Sequence, residues 1–293
     1  MPNSPSAAAA ARPGSALLST LAVIASFGAF AAVGVALRPA TTQPGALPAS
    51  ATDARARLTA STRHGEWVTV TQGADTVRAW VVYPERKGKA PVVVVIHEIF
   101  GLTNWIRAVA DQAAADGFIA IAPDLMTGKI SQATPDSAPQ LATATIRTLK
   151  PEDVQRQISL VADYAMKLPA AQKKYGVVGF CWGGSTVFNH AVAAPALGAS
   201  VVYYGTSPAS TALSTIKAPV LGLYGENDAR VNATIPGADS TMKALKKSYE
   251  TRVFTGAGHG FLRQQDGQNG ANLAATKDAW PMTIAFFRKH LGS

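Results

Sequence analysis

Short apolar runs alternate with amphipathic stretches along most of this chain. Residues 91–96 contain consecutive Val and Ile residues after a proline, which is typical of a strand buried on both faces. In residues 152–168, Val154, Ile158 and Val161 recur at helical spacing. Further strands are predicted at residues 118–122, 177–180, 199–204, 219–224 and 249–254. This alternation predicts an α/β fold with a mainly parallel central sheet and helices on both faces.

An antiparallel hairpin is predicted before the first buried strand. Residues 67–71 and 77–83 alternate apolar and polar positions, and the turn-like sequence Gly-Ala-Asp at 73–75 separates them. Because the alternating pattern starts near residue 65 and no internal repeat follows, we predict one α/β domain over residues 65–293.

The N-terminal part of the chain has a different character. Residues 15–37 contain no charged side chain and are long enough to cross a bilayer as a helix. Together with Arg12 they also resemble a long secretory signal. We therefore predict that residues 1–38 are a signal peptide or a membrane anchor, and that the protein is exported (periplasmic or secreted) or membrane-anchored. Residues 39–64 have few large apolar side chains and are predicted to be a flexible linker.

Composition excludes several classes of function. The chain is 47% hydrophobic, which argues against general disorder, and its net charge of +9 comes from scattered residues. A nucleic-acid-binding protein would concentrate basic side chains on one face, with aromatic residues among them. The chain contains one cysteine, Cys181, so an internal disulfide and a Cys-rich zinc site are excluded.

The cysteine lies in a sequence that is typical of a nucleophile elbow. Gly179-Phe-Cys181-Trp-Gly183 directly follows a predicted strand and precedes a helical pattern. This is the G-x-S-x-G arrangement with Cys in place of Ser, in which small residues allow a sharp turn that raises the nucleophile above the sheet. The nearby helix N-terminus is expected to favour the thiolate. The alternative interpretation is a buried structural cysteine.

A base and an acid follow the nucleophile in the chain. His259 lies in a glycine-rich turn after the last predicted strand, and Asp228 lies just after residues 219–224. The order nucleophile, acid, histidine is that of the α/β-hydrolase fold. Glu226 is a rival acid, but Asp228 is further beyond the end of the strand, where a loop can reach His259.

The loop after residues 91–96 begins His97-Glu98-Ile99. A zinc site of the H-E-x-x-H type is excluded because the last position is Gly101. In an α/β-hydrolase this loop supplies one backbone N–H to the oxyanion hole, and the residue after the nucleophile supplies the other. The candidates are therefore the backbones of Ile99 and Trp182. Glu98 would lie beside them, where its charge would oppose an oxyanion, and a solvated loop position remains an alternative for it.

Taken together, these motifs resemble the dienelactone hydrolase family. They are Glu98-Ile-Phe-Gly-Leu102, Asp116-Gly-Phe, Ala122-Pro-Asp-Leu125, the sequence around Cys181, and Gly256-Ala-Gly-His-Gly-Phe261. The resemblance covers residues 66–292 with the motifs in order. It implies the α/β-hydrolase fold and hydrolysis of an enol-lactone, such as a dienelactone, to maleylacetate.

The resemblance also implies a role for each matching residue. Cys181 matches the nucleophile, Asp228 the acid and His259 the base. Glu98 matches a carboxylate that holds the resting thiol and takes its proton when substrate binds. Ile99 and Trp182 match the oxyanion donors, and Arg263 matches an arginine that binds the substrate carboxylate. Arg147 is the single arginine in the segment where the family has a second such residue.

We therefore predict a hydrolase that opens a small ester or enol-lactone, with a carboxylate-bearing substrate and an acyl-thioester intermediate. No metal or organic cofactor is implied, no nucleic acid is expected as a partner, and a membrane is contacted only through the N-terminal segment. One alternative is a general carboxylesterase or thioesterase with the same machinery. The other is a non-catalytic binding module with a redox-sensing thiol, against which the complete set of Cys181, Asp228 and His259 argues.

Overall fold

The central element of the fold is a mixed sheet. The computed structural model describes residues 43–131 and 134–292, and within these ranges eight strands pair in the order β1-β2-β4-β3-β5-β6-β7-β8. The strands are β1 (Gly65–Gln72), β2 (Asp75–Val82), β3 (Ala90–Ile96), β4 (Ile119–Asp124), β5 (Ala171–Phe180), β6 (Ala199–Tyr203), β7 (Val220–Asn227) and β8 (Tyr249–Gly258).

Strand directions agree with the predicted fold class. β1 pairs with β2 in an antiparallel hairpin, and β2 pairs with β4, also antiparallel. All other neighbours run parallel, from β4 through β3, β5, β6 and β7 to β8. The prediction of a mainly parallel sheet with an N-terminal antiparallel hairpin is confirmed.

Helices cover both faces of the sheet. They are α1 (Ala54–Ala60), α2 (Asn104–Ala115), α3 (Thr134–Ser137), α4 (Pro139–Ile146), α5 (Pro151–Lys167), α6 (Trp182–Ala193), α7 (Ala229–Asn232), α8 (Ile235–Ala244) and α9 (Ala271–Phe287). Every residue of β3 is buried, and its side chains alternate between two cores. Val93 and Val95 pack with α2 and α9, whereas Val92 and Val94 pack with α5 and α6. This two-sided burial explains why β3 is continuously apolar in sequence.

The structure corrects the prediction of a flexible linker at residues 39–64 over its described part, from residue 43. This stretch contains α1, and it lies against the domain through small buried residues such as Ala49 and Ala54. The indole N–H of Trp105 donates to the carbonyl of Ala49 over 3.1 Å. Small side chains suffice to cover the aromatic surface of α2, so the scarcity of large apolar residues did not indicate a linker.

In the part of the chain that the structure describes, no helix is long and apolar enough to span a membrane. The apolar run at residues 15–37 lies outside the described residues. Its assignment as a signal peptide or anchor stays a prediction.

Candidate active site

Cys181 lies in the sharp turn between β5 and α6. Its backbone has φ 56° and ψ −115°, in a region that side chains other than glycine rarely adopt. A Cβ atom at Gly179 would lie 2.1 Å from the carbonyl oxygen of Gly183, and one at Gly183 would lie 2.4 Å from that of His97. Only glycine fits at these two positions. The strand–turn–helix predicted around Cys181 is therefore present in the structure.

The Cys181 thiol is half-buried, and its resting state differs from the expected thiolate. Burial raises its pKa to about 11, and the negative charge of Glu98 contributes to this increase. The N–H of Trp182, at the start of α6, lowers the pKa but does not outweigh the burial. The helix N-terminus therefore acts in the expected direction, yet the thiol remains protonated at neutral pH.

His259 and Asp228 form the closest ion-pair contact of the site. Asp228 lies at the start of α7 with its side chain 7% exposed, and its Oδ2 lies 2.5 Å from Nδ1 of His259. The imidazole therefore donates from Nδ1, which leaves Nε2 as an acceptor toward the cleft. The rival acid, Glu226, is exposed and accepts a hydrogen bond from the N–H of Gly256 instead.

Tyr204 packs against the ring of His259 and lies next to the residue that is hydrogen-bonded to Cys181. It directly follows β6, its ring lies 5.1 Å from that of His259, and the preceding carbonyl of Tyr203 accepts a hydrogen bond from the N–H of Cys181. The Tyr204 hydroxyl is buried, and no group in the described ranges is hydrogen-bonded to it. Its pKa is raised well above the ordinary value by burial and by the charges of Glu98 and Cys181. Sequence analysis missed this residue, although its position at a strand end beside the elbow was a usable signal.

Cys181 and His259 share this corner of the sheet without a direct contact. Among the described residues, the Cys181 sulfur forms no hydrogen bond with a side chain. The negative charge of Asp228 also raises the thiol pKa, which places the His259–Asp228 pair within electrostatic reach of the sulfur. Catalytic hydrogen bonds are often long in a free enzyme and tighten when substrate binds.

Glu98 forms an ion pair with Arg263. Its Oε2 lies 3.3 Å from Nε of the arginine, and the carboxylate is buried, so the alternative of a solvated loop glutamate is wrong. Burial raises the pKa of Glu98 to about 7, and Arg263 acts in the opposite direction. The Arg263 guanidinium also stacks over Phe100 at 4.8 Å. Arg263 thus contacts both Glu98 and Phe100.

The two predicted oxyanion donors lie in the turn after β3 and at the start of α6. Ile99 lies in a turn after β3 that is closed by a hydrogen bond from the N–H of Gly101 to the carbonyl of Glu98, 3.1 Å long. Trp182 is the first residue of α6, and the first N–H groups of a helix have no partner within it. Both backbones therefore lie beyond the carboxyl ends of the neighbouring parallel strands β3 and β5.

A cavity of about 260 Å³ opens beside Arg263. Phe100 and Pro139 line one part of it, and Ala51 and Arg55 from the N-terminal segment line another. Arg147 is exposed at the end of α4 and lines a neighbouring cavity of about 280 Å³, on which Phe100 also borders. The structure thus brings Arg55, and not Arg147, into the cavity of Arg263. The sequence pattern does not indicate this position of Arg55, because a scarcity of large apolar residues such as that in residues 39–64 is typical of a linker.

The described residues contain no cluster of His, Cys, Asp and Glu side chains that could hold a metal ion. His97, which stood in the excluded H-E-x-x-H pattern, is fully buried, and its Nδ1 lies 2.8 Å from the carbonyl oxygen of Glu98.

Comparison with known sequences identifies similar proteins. The model of the dienelactone hydrolase family matches residues 77–291. A protein of Salmonella typhimurium described as "Putative carboxymethylenebutenolidase" is 29% identical over 230 residues, covering 74% of this chain and 84% of that protein. A protein of Saccharolobus solfataricus with the same description is 30% identical over 246 residues, covering 73% and 94%.

Solved structures give the same result. A crystal structure described as "Putative Dienelactone Hydrolase" from Klebsiella pneumoniae superposes with a TM-score of 0.69 and 26% identity, covering 77% of this chain and 98% of that one. Dienelactone hydrolase from Anabaena variabilis has a TM-score of 0.59 and 21% identity, covering 78% and 98%. The second similarity concerns the fold alone.

Proposed function

The chain belongs to the dienelactone hydrolase family, and from this membership we propose that it opens a small, carboxylate-bearing ester or enol-lactone with Cys181 as the nucleophile. The family is one of hydrolases that act on esters and enol-lactones. The single observation that carries the proposal is the placement of Cys181 in the elbow, between the His259–Asp228 pair and the Glu98–Arg263 pair.

Activation of the thiol would follow from competition for Arg263. In the resting site the guanidinium lowers the pKa of Glu98, which is about 7, whereas the thiol pKa is about 11. A substrate carboxylate that binds Arg263 would weaken its hold on Glu98, so the pKa of Glu98 would rise further. The carboxylate would then be a better acceptor for the thiol proton. Once Glu98 is neutral, its charge would no longer raise the thiol pKa, and this favours the thiolate form of Cys181.

The chemical steps then use the remaining groups of the site. The thiolate sulfur attacks the carbonyl carbon, and the N–H groups of Ile99 and Trp182 stabilise the oxyanion. The C–O bond of the ester or lactone breaks, the leaving oxygen takes the proton held by Glu98, and an acyl-thioester remains on Cys181. His259 next removes a proton from water, whose oxygen attacks the thioester. The C–S bond breaks, and the sulfur takes the proton from His259. No cofactor enters these steps.

The cavity beside Arg263 supports the carboxylate-bearing class of substrate. Arg55 and Arg263 both line it, and a carboxylate can form a bidentate contact with a guanidinium. The apolar side of the same cavity, formed by Phe100 and Pro139, would accept the hydrocarbon part of a small acid.

We also propose that the protein acts outside the cytoplasm or at a membrane, through residues 15–37. This rests on the length and apolar character of that run. N-terminal sequencing of the mature protein tests it. A new N-terminus after the apolar run indicates a signal peptide, and an intact N-terminus in the membrane fraction indicates an anchor. An intact N-terminus in the soluble cytoplasm would contradict the proposal.

Turnover of two substrate types tests the function. We expect the protein to hydrolyse a dienelactone with a free carboxylate with a higher kcat/KM than a neutral aryl ester of similar size. Cys181→Ala should lose nearly all activity on both. A preference for the neutral ester would favour a general carboxylesterase, and no turnover of either would favour a binding module.

A further inference from the structure

His97 is a fully buried histidine that has no part in the proton transfers described above. It is the last residue before Glu98, and its Nδ1 lies 2.8 Å from the Glu98 carbonyl oxygen. Because a carbonyl oxygen only accepts hydrogen bonds, the imidazole proton is on Nδ1. The other ring nitrogen, Nε2, is buried without a hydrogen-bonding partner among residues 43–131 and 134–292. The contact with the Glu98 carbonyl is therefore the hydrogen bond that fixes this ring.

That carbonyl belongs to the same peptide unit as the N–H of Ile99. A peptide unit is planar and trans, so its C=O and N–H point in opposite directions. A group that fixes the direction of the Glu98 carbonyl therefore also fixes the direction of the Ile99 N–H. Two groups donate to this carbonyl, Nδ1 of His97 and the N–H of Gly101. The Ile99 N–H is the group assigned above to the oxyanion.

His97 also contacts the residue that carries the other oxyanion donor. Its ring stacks on the indole of Trp182, with 5.6 Å between ring centroids and 15° between planes. Its carbonyl oxygen lies so close to Gly183 that a Cβ there would be 2.4 Å away. The histidine, which is the first residue of the loop after β3, thus also contacts the first turn of α6.

We propose that His97 is a positioning residue for the oxyanion hole, which holds the N–H of Ile99 through the Glu98 carbonyl and supports Trp182 through ring stacking. The inference rests on the proposed function, because it requires an oxyanion at this place. Preorganised donors stabilise a transition state only if they already point at the position of the developing charge.

The ring remains in one protonation state while it does this. Burial lowers the pKa of His97 to about 4, against a smaller opposite effect of the Glu98 carbonyl. The imidazole is therefore uncharged in the pH range around 7, in which the hydrolase would be assayed. Loss of this residue should change the rate and leave the shape of the pH–rate profile as it is in the unaltered protein.

Two substitutions separate the hydrogen bond from the space that the ring fills. His97→Phe keeps an aromatic ring against Trp182 but removes the donor. His97→Asn removes the ring but offers an amide N–H near the position of Nδ1. His190 in α6 provides the matched control, since it is also a fully buried imidazole with a pKa of about 4, and it is hydrogen-bonded to Gln155 in α5 and Tyr175 in β5.

The experiment measures kcat, KM and the rate of Cys181 alkylation by iodoacetamide in the full-length protein. Alkylation needs the thiol but no oxyanion hole. We expect His97→Phe to lower kcat about 10- to 100-fold, with KM and the alkylation rate within about twofold of the unaltered protein. His97→Asn should recover most of kcat. His190→Phe should lower the melting temperature without lowering kcat.

Several results would overturn the inference. One is a kcat of His97→Phe within about threefold of that of the unaltered protein. Another is a loss of kcat in His97→Asn or in His190→Phe that equals the loss in His97→Phe. If His97→Phe does not fold, His97→Gln is measured in its place. The glutamine side chain is longer and carries its amide past the position of Nδ1, so this variant should show the same loss of kcat. Failure of the proposed function is distinguishable, because turnover in the unaltered protein would then not depend on Cys181.

Discussion

At the scale of single residues, the site is governed by the partner of Arg263. In the resting protein this partner is Glu98, whose negative charge contributes to the raised thiol pKa of about 11. A substrate carboxylate would exchange one anion for another at the guanidinium. The exchange would link substrate binding to the charge of Cys181, so substrates without a carboxylate should gain less from this site.

Glu98 should make the stability of the protein depend on pH. Its pKa rises from 4.5 to about 7 on folding, so the folded state binds more protons than the unfolded state between these values. Stability contributed by the protonated carboxyl is therefore fully present below pH 4.5 and is lost as the pH rises through 7. Relative to the unaltered protein, Glu98→Gln should gain about 3 kcal/mol in free energy of unfolding from pH 4 to pH 8.

Urea unfolding at several pH values measures this difference. His97 and His190 titrate in the same range in both proteins, and their contributions largely cancel in the comparison. A difference that does not change with pH would mean that folding does not raise the pKa of the Glu98 carboxyl.

Arg263 should discriminate between substrates. Arg263→Ala should lower kcat/KM about 10- to 100-fold on a carboxylate-bearing lactone, equivalent to about 1.5–3 kcal/mol, because a charge-assisted contact is lost. Neutral aryl esters should change by less than about threefold, and Arg263→Lys should recover only part of the loss, since it lacks the planar fork.

Arg147→Ala is the control for a second arginine, because Arg147 lines a different cavity. It should leave kcat/KM on both substrate types close to that of the unaltered protein. An equal loss on both substrate types in Arg263→Ala would show that Arg263 only supports Glu98 and the loop around it.

The sequence allowed the chemistry of single residues to be predicted, but not their environment. Cys181, Asp228 and His259 each follow a strand, so motif and chain order could indicate them. The helix N-terminus next to Cys181, which lowers the thiol pKa, can be recognised in the sequence. The burial that raises the thiol pKa cannot, because it depends on the folded structure. The Glu98–Arg263 pair joins two loops that are far apart in the chain, and only the folded structure brings them together.

At the scale of elements, the N-terminal segment of residues 43–64 has a structural role that the sequence did not indicate. The N–H of Ala51 donates to the carbonyl of Arg263 over 2.9 Å, and Pro48 accepts a hydrogen bond from Gln265. The family match begins only at residue 77. This segment therefore lies outside the residues that the family model matches, and it lines part of the cavity beside Arg263.

Deletion should reveal this role. A chain that starts at residue 65 loses the residues that bury Trp105 and the hydrogen bond from Ala51 to the carbonyl of Arg263. Its free energy of unfolding should therefore fall by several kcal/mol. Its KM for carboxylate-bearing lactones should rise, because Arg263 is held less firmly. A chain that starts at residue 43 keeps these contacts and is the control. Denaturant unfolding and steady-state kinetics of the two chains test the prediction. Equal stability and equal KM would show that the segment is dispensable.

At the scale of the whole molecule, the parallel sheet gathers the site at one edge. The loops after β3, β5, β6, β7 and β8 carry Glu98, Cys181, Tyr204, Asp228 and His259, respectively. Because parallel strands place their carboxyl ends together, strand prediction from apolar runs was enough to locate the candidate site. Side-chain packing between loops was not predictable in this way, and this is why the contacts of His97 and Tyr204 were missed.

Mass spectrometry of the acid-quenched protein tests whether Cys181 forms the proposed covalent acyl intermediate. The protein is mixed with an aryl ester, quenched during turnover, and digested to locate the added mass, with Cys181→Ala treated in parallel. We expect one acyl group on Cys181 of the unaltered protein, and neither an acyl group nor turnover in the variant. Undiminished turnover by Cys181→Ala, or an acyl group on another residue, would show that Cys181 is not the nucleophile.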